Sequence, residues 1–191
     1  MAPPLSRVVV RERTPSGSAP TGTASSARTC GLRLRAIGIA LLALLTPQPL
    51  SAQQSNNVRI TQLSDVAFGA LANLGVDAVR TQSICVFAHT ANDGYRVTAI
   101  GSAPNGAFAL SSGASLLDYE VQWSPSPGQS TGSQLSPNTT LTGLTSSAAQ
   151  QTCNNGPATS ASLILVLRSA ALSSARAGSY SGTLTLIIGP E

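Results

Sequence analysis

Few side chains in this sequence could do chemistry. His89 is the single histidine among 191 residues. A serine hydrolase needs a nucleophile, a base and a group that orients the base. Serine is abundant, but His89 stands near the Asp93-Gly94 turn, the setting of a solvated loop residue. Asp118 and Glu120 lie two apart, so on a strand they share one face. A glycosidase pair must straddle its substrate, and these two read instead as the wet side of a strand. Asp65 and Asp77 lack the spacing of a calcium loop. A closed zinc site needs four ligands, which Cys85, Cys153 and one histidine do not supply. Phe108, Tyr119 and Trp123 have rings suited to a sugar, yet they fall in line with core aliphatics, which favours packing. The expectation is a protein with no catalytic, metal or cofactor-binding residues and no cofactor.

The elements that would hold such residues are strands. In the terminal run Gly178 to Glu191, Tyr180, Leu184, Leu186 and Ile188 recur at a spacing of two, the period of a strand. Gly178 opens this run and Gly189-Pro190 closes it. Earlier runs alternate in the same way: Val58 to Thr61, Asp65 to Leu71 with a bend at Gly69, Arg80 to Ala88, Tyr95 to Ile100, Ala107 to Leu110, Leu117 to Trp123 and Ala161 to Arg168. Asn92-Asp93-Gly94, Asn105-Gly106 and Asn155-Gly156 supply turns. The Ser/Pro/Gly-rich stretch from Ser124 to Gly132 is an exposed loop, and Leu135 to Leu144 is a short edge strand interrupted by Pro137. From residue 53 onward there is no amphipathic helix of ten residues or more. About seven to eight short strands imply an all-β antiparallel sandwich.

The charge belongs to the front of the chain. All eleven basic residues are arginine, and six of them precede residue 36. From residue 53 onward, five arginines meet six carboxylate residues. A nearly neutral body without lysine has no electrostatic footprint for nucleic acid. Residues 1–52 read as a leader: Arg33 and Arg35 precede ten apolar residues, 36–45, and Leu50-Ser51-Ala52 offers a peptidase site. Ten residues rise only about 15 Å as a helix, too short for a membrane span. Residues 53–191 then form one domain carrying Cys85 and Cys153. In an oxidising compartment a disulfide is the default for this pair, with two buried thiols as the alternative.

Cys85-Val86-Phe87, Tyr95 to Ala99, Gly101-Ser102, Phe108-Ala109-Leu110, Leu117 to Trp123, Cys153 and the terminal run resemble, in order and spacing, the spore coat U group of secreted proteins. That group is related to subunits of chaperone–usher pili. The resemblance covers most of residues 58–191. It implies an immunoglobulin-type sandwich, pilin type, short of one strand. It also implies passage through the periplasm to the cell surface, a periplasmic chaperone and an outer-membrane usher as partners, and assembly with copies of itself or sister subunits by strand addition. Gly178, Tyr180, Leu184, Leu186 and Ile188 would then form the chaperone-facing C-terminal strand. Val58, Ile60 and Leu63, within residues 53–64, would form the donor strand. If that segment instead pairs within its own chain, the chain does not polymerise through that arm. Pro190 departs from the family pattern, which has an aromatic there. The competing expectation is a self-contained secreted sandwich that binds a ligand such as a glycan through the 124–134 loop or exposed aromatics.

Overall fold

A computed structural model describes residues 6–13 and 56–191, which belong to one compact unit. The apolar run 36–45 and the proposed cleavage site lie outside the described residues. The fold is all-β: two sheets pack face to face as a sandwich.

Strand β1 (Ser6–Arg13) lies within the segment expected to be a leader. It is followed by β2 (Asn57–Thr61), β3 (Val66–Gly69), β4 (Ala78–His89) and β5 (Gly94–Gly101). Next come β6 (Ala109–Ser112), β7 (Ser115–Asp118), β8 (Glu120–Ser124) and β9 (Ser133–Leu135). The chain ends with β10 (Thr140–Thr145), β11 (Ala161–Leu167), the one-turn helix α1 (Ser169–Ser174) and β12 (Ser181–Pro190). One sheet runs β10-β5-β12-β1-β3, with the β6–β7 hairpin joining at β12; the other runs β2-β4-β11-β8-β9. Pairing is antiparallel throughout, except that β1 runs parallel to β12.

Alternation makes the core. Tyr95, Val97 and Ala99 of β5 are fully buried, as are Leu184 and Leu186 of β12, and they face Ile84, Val86, Val121, Trp123, Leu163 and Leu165 of the opposite sheet. Trp123 Nε1 donates to Tyr95 Oη at 3.1 Å, and the two rings meet edge to face. The turn residues behave as their types demand: Asp93, Asn105 and Gly106 all adopt positive φ.

β11 is buried along its whole length. Its outer face is covered by the Ser124–Gly132 loop, where Ser162 Oγ donates to the Ser126 carbonyl and accepts from Gln129 N–H. Where β11 ends its pairing with β4, Ser160 Oγ continues the ladder by accepting from Val86 N–H and donating to the Val86 carbonyl. Cys85 and Cys153 form a disulfide that clamps the 146–160 loop over the outer face of β4, with Ala148 and Phe87 packed beside it.

Two runs divide where the sequence reads one strand. Leu117 to Trp123 alternates without a break, but it splits at Tyr119 into β7 in one sheet and β8 in the other. Leu135 to Leu144 divides in the same way at Pro137-Asn138, giving β9 and β10 on opposite sheets. Val58 and Ile60, expected in a donor strand, sit in β2, antiparallel to β4 of the same chain, and Leu63 packs on the core.

The disulfide joins residues 68 apart in sequence. Cys85→Ser with Cys153→Ser should cost about 4 kcal/mol by loss of loop-closure entropy, read as a lower urea midpoint. Burial pushes the Tyr95 phenol from 10.0 up to about 12, opposed by the Trp123 hydrogen bond, and pushes Tyr119 higher still. Both groups keep their protons in the fold at a pH where the unfolded chain has lost them. Their stabilising effect is complete below the unfolded value and is lost as pH rises from about 10 through 12. Urea midpoints should decline across that window. Tyr119→Phe, which removes a buried hydroxyl without a partner among the described residues, should shallow the decline.

Candidate functional site

The feature that stands out is a slot one strand wide, bounded by β12 on one side and β3 on the other. β12 has two hydrogen-bonding edges. Its inner edge is met by the body: Leu184 to Pro190 pair with β5. Where β5 ends, Ser102 Oγ accepts from Thr183 N–H at 3.0 Å, and Ser181 pairs with Ser111 of β6. Among the described residues, its outer edge, Ser181 to Ile187, is met by β1 alone, in register from Arg7 opposite Ser181 to Arg13 opposite Ile187. The other flank of β1 reaches β3 through Ser6, Arg7 and Val8 alone, with a register shift between Ser6 and Arg7.

β3 forms the far wall, and an arginine fixes it. Arg80 of β4 donates to the Ala67 carbonyl at 3.3 Å and the Phe68 carbonyl at 2.9 Å, with its guanidinium 5.8 Å from the centroid of the Phe68 ring. Phe68 itself is buried in the core. No motif marks Arg80 in the sequence, where it is one arginine on a strand. Its role arises because β3 and β4 lie in different sheets and meet at this corner.

At the Gly69 end, where β1 begins, the slot meets an apolar cleft of about 360 Å³. Leu71, Leu74, Leu117, Leu172, Arg176 and Tyr180 line it. Tyr180 Oη donates to the Arg176 carbonyl at 2.9 Å, which ties the start of β12 to the turn after α1. α1 is in turn held by Asp77, whose carboxylate accepts from Ser169 N–H and from Arg168, both at 2.8 Å. Arg168 also pairs with Glu120. The Ser169 amide, then Arg168, hold the Asp77 carboxyl below its usual range; Arg168 does the same for Glu120.

The C-terminal strand residues fall together. Tyr180, Leu184, Leu186 and Ile188 are all buried on the core side, and Gly178 lines the cleft. A Cβ at Gly178 would lie 2.7 Å from Ser112 Oγ, so the entry to β12 is tight.

The side chains that invited catalytic readings lie apart. Asp118 ends β7, whereas Glu120 opens β8 in the other sheet and is occupied by Arg168. Trp123, Tyr119 and Phe108 are buried and present no platform to a sugar. His89 is exposed at the end of β4, its ring nearly parallel to that of Phe87. One motif escapes the list of candidates drawn from the sequence: Gly128-Gln129-Ser130-Thr131-Gly132 has G-x-S-x-G spacing. A nucleophile elbow is a strand-to-helix turn. This stretch connects β8 to β9, and Ser130 lies exposed in the loop. Among the described residues, no three His, Cys, Asp or Glu side chains gather as a metal site, and no helix is long and apolar enough to cross a membrane.

Because alternate side chains of β12 face the core, their truncation should differ in cost. Leu186→Ala should destabilise by about 2–5 kcal/mol, whereas Thr185→Ala, on the opposite face, should cost less than about 1 kcal/mol. Urea unfolding of the two variants measures both.

No family model matches the chain, and neither a curated protein nor a solved structure matches it.

Proposed function

We propose that the protein is a non-catalytic, exported structural subunit whose body accepts a strand from another polypeptide. The carrying observation is the slot beside β12. Within residues 56–191 nothing pairs with the outer edge of Ser181 to Ile187; the strand that does so, β1, lies upstream of the proposed cleavage site after Ala52. Once the leader is removed, that edge is a row of unsatisfied N–H and C=O groups above a finished core. Such an edge is a template for strand addition, with the ladder supplying affinity and the alternate side chains supplying register.

The disulfide suits an extracytoplasmic compartment. The resemblance to spore coat U and chaperone–usher proteins supplies the identity of the strand donors: a periplasmic chaperone during transit past an outer-membrane usher, then a sister subunit at the cell surface. Because Val58 and Ile60 already pair with β4 of their own chain in β2, the reading takes the donor to be a segment other than Val58 to Leu63. Among the described residues Phe108, Tyr119 and Trp123 are buried, which weighs against the glycan-binding alternative.

Residues 53–191, isolated from the exported fraction, provide the test. Native mass spectrometry should find the body joined to another chain, and hydrogen exchange should show the Ser181–Ile187 amides protected only in that complex. A lone copy in which those amides are all protected would overturn the reading.

A further inference from the structure

We infer that the slot takes its strand from a different polypeptide and not from a second copy of this chain: the exported body accepts a strand and has none to give, so it ends a row of subunits instead of extending it. This rests on the acceptor reading above and adds to it the kind of partner that fits.

An arm that fills the slot must lie free of its own body and match the outer edge of β12. That edge covers Ser181 to Ile187, about 20 Å between its end residues at the rise of a strand. Cleavage after Ala52 leaves only residues 53–56 ahead of β2. Fully extended they reach about 14 Å at most, and part of that length is used in leaving the parent body. Their side chains also lack the pattern. Gln53, Gln54, Ser55 and Asn56 are all polar, whereas a strand between β12 and β3 turns alternate side chains toward the core that holds Phe68 and Leu184. A cut at the very end of the apolar run would not supply an arm either. It would free residues 46–56, where Leu50 is the one large apolar side chain and Pro47 and Pro49 have no N–H to give a ladder.

The next segment along is β2, and it is in use. It pairs with β4 from Asn57 opposite His89 to Thr61 opposite Cys85. Ile60 is 1% exposed, and Val58 and Leu63 pack against the same core. Releasing β2 as an arm would break that ladder and uncover Ile60, so filling one edge would open another. The longer connections are tethered. The 124–132 loop is pinned by Gly128 N–H on Ser83 Oγ and by Gln129 N–H on Ser162 Oγ, both at 3.0 Å. The 146–160 loop is held by the disulfide and by Ser146 Oγ, which donates to the Val86 carbonyl at 2.6 Å. Residues 70–77 run from β3, anchored by Arg80, to Asp77, held by Ser169 N–H and Arg168. Two copies of this chain therefore meet as two acceptors without a donor. The partner that fits is a polypeptide carrying its own free strand, as long as the edge from Ser181 to Ile187 and apolar at alternate positions.

The test uses the exported chain, purified after its leader is removed and separated from any bound polypeptide. The sequence of residues 6–13, Ser-Arg-Val-Val-Val-Arg-Glu-Arg, pairs with β12 in this structure and serves as the probe strand. It is supplied once as a free peptide and once as an arm inserted between Ser55 and Asn56, which leaves the proposed peptidase site untouched. The wild-type chain should sediment without species at multiples of its own mass as its concentration rises, and its Ser181–Ile187 amides should exchange freely. The grafted chain should form multimers with those amides protected. With the free peptide at about 100 times its Kd, exchange of those amides in the wild-type chain should slow about 100-fold; this measurement decides the matter should the grafted chain fail to fold. A grafted monomer with protected amides fills its own slot and supports the inference equally, since the wild type lacks only the arm. Wild-type multimers with those amides protected overturn the inference and leave the acceptor reading intact. If neither graft nor peptide protects them, the acceptor reading falls and the inference with it.

Discussion

A strand has two edges, and β12 finds a partner for only one of them within the body. β5, Ser102 and β6 complete the inner edge, while the outer edge depends on a segment from the far end of the sequence. The apolar side chains below are held by other partners. Leu184, Leu186 and Ile188 lie buried in the core shared with the opposite sheet. Hydrophobic burial and ladder completion are thus supplied by different parts of the chain. A body can hold its core and still present an unfinished sheet, and this separation underlies the proposed function.

The rest of the fold fixes the walls around that edge. Arg80 anchors β3 by its carbonyls, so the far wall of the slot is fixed to the second sheet rather than to whatever fills the gap. Tyr180 and the Asp77–Arg168–Glu120 group brace the turn that leads into β12. These ion pairs are exposed, and their value lies in positioning more than in net stability. The many serines, which raise thoughts of nucleophiles in a bare sequence, have a structural use here. Ser102 and Ser160 stand in for missing ladder partners where one strand ends before its neighbour, and Ser162 pins the Ser124–Gly132 loop to β11. A hydroxyl both donates and accepts, so it replaces either half of a backbone pair.

Much of this was legible in advance. Period-two alternation identified β4, β5, β11 and β12, and Asn-Asp-Gly and Asn-Gly marked their turns. The cysteine pair, placed in an oxidising compartment, pointed to the bond that forms. What the sequence did not show shares one cause. Leu117 to Trp123 looks like one strand because alternation persists across Tyr119, although the hydrogen-bonding partners change from β6 to β11 at that residue. Val58 to Leu63 looks like a spare arm because it is short and near the proposed cleavage site. Its pairing with β4 depends on residues nearly thirty positions away.

By itself, the sequence determined which residues are extended and which of their faces is apolar. These properties are local, set by side-chain period and backbone preference within a few residues. Only the tertiary structure decided which sheet each strand joins, that β2 is already paired, that Arg80 holds β3, and that one edge of β12 is closed by residues 6–13. Pairing is a contact between distant segments, and alternation is the same whether a strand's edge is paired or open.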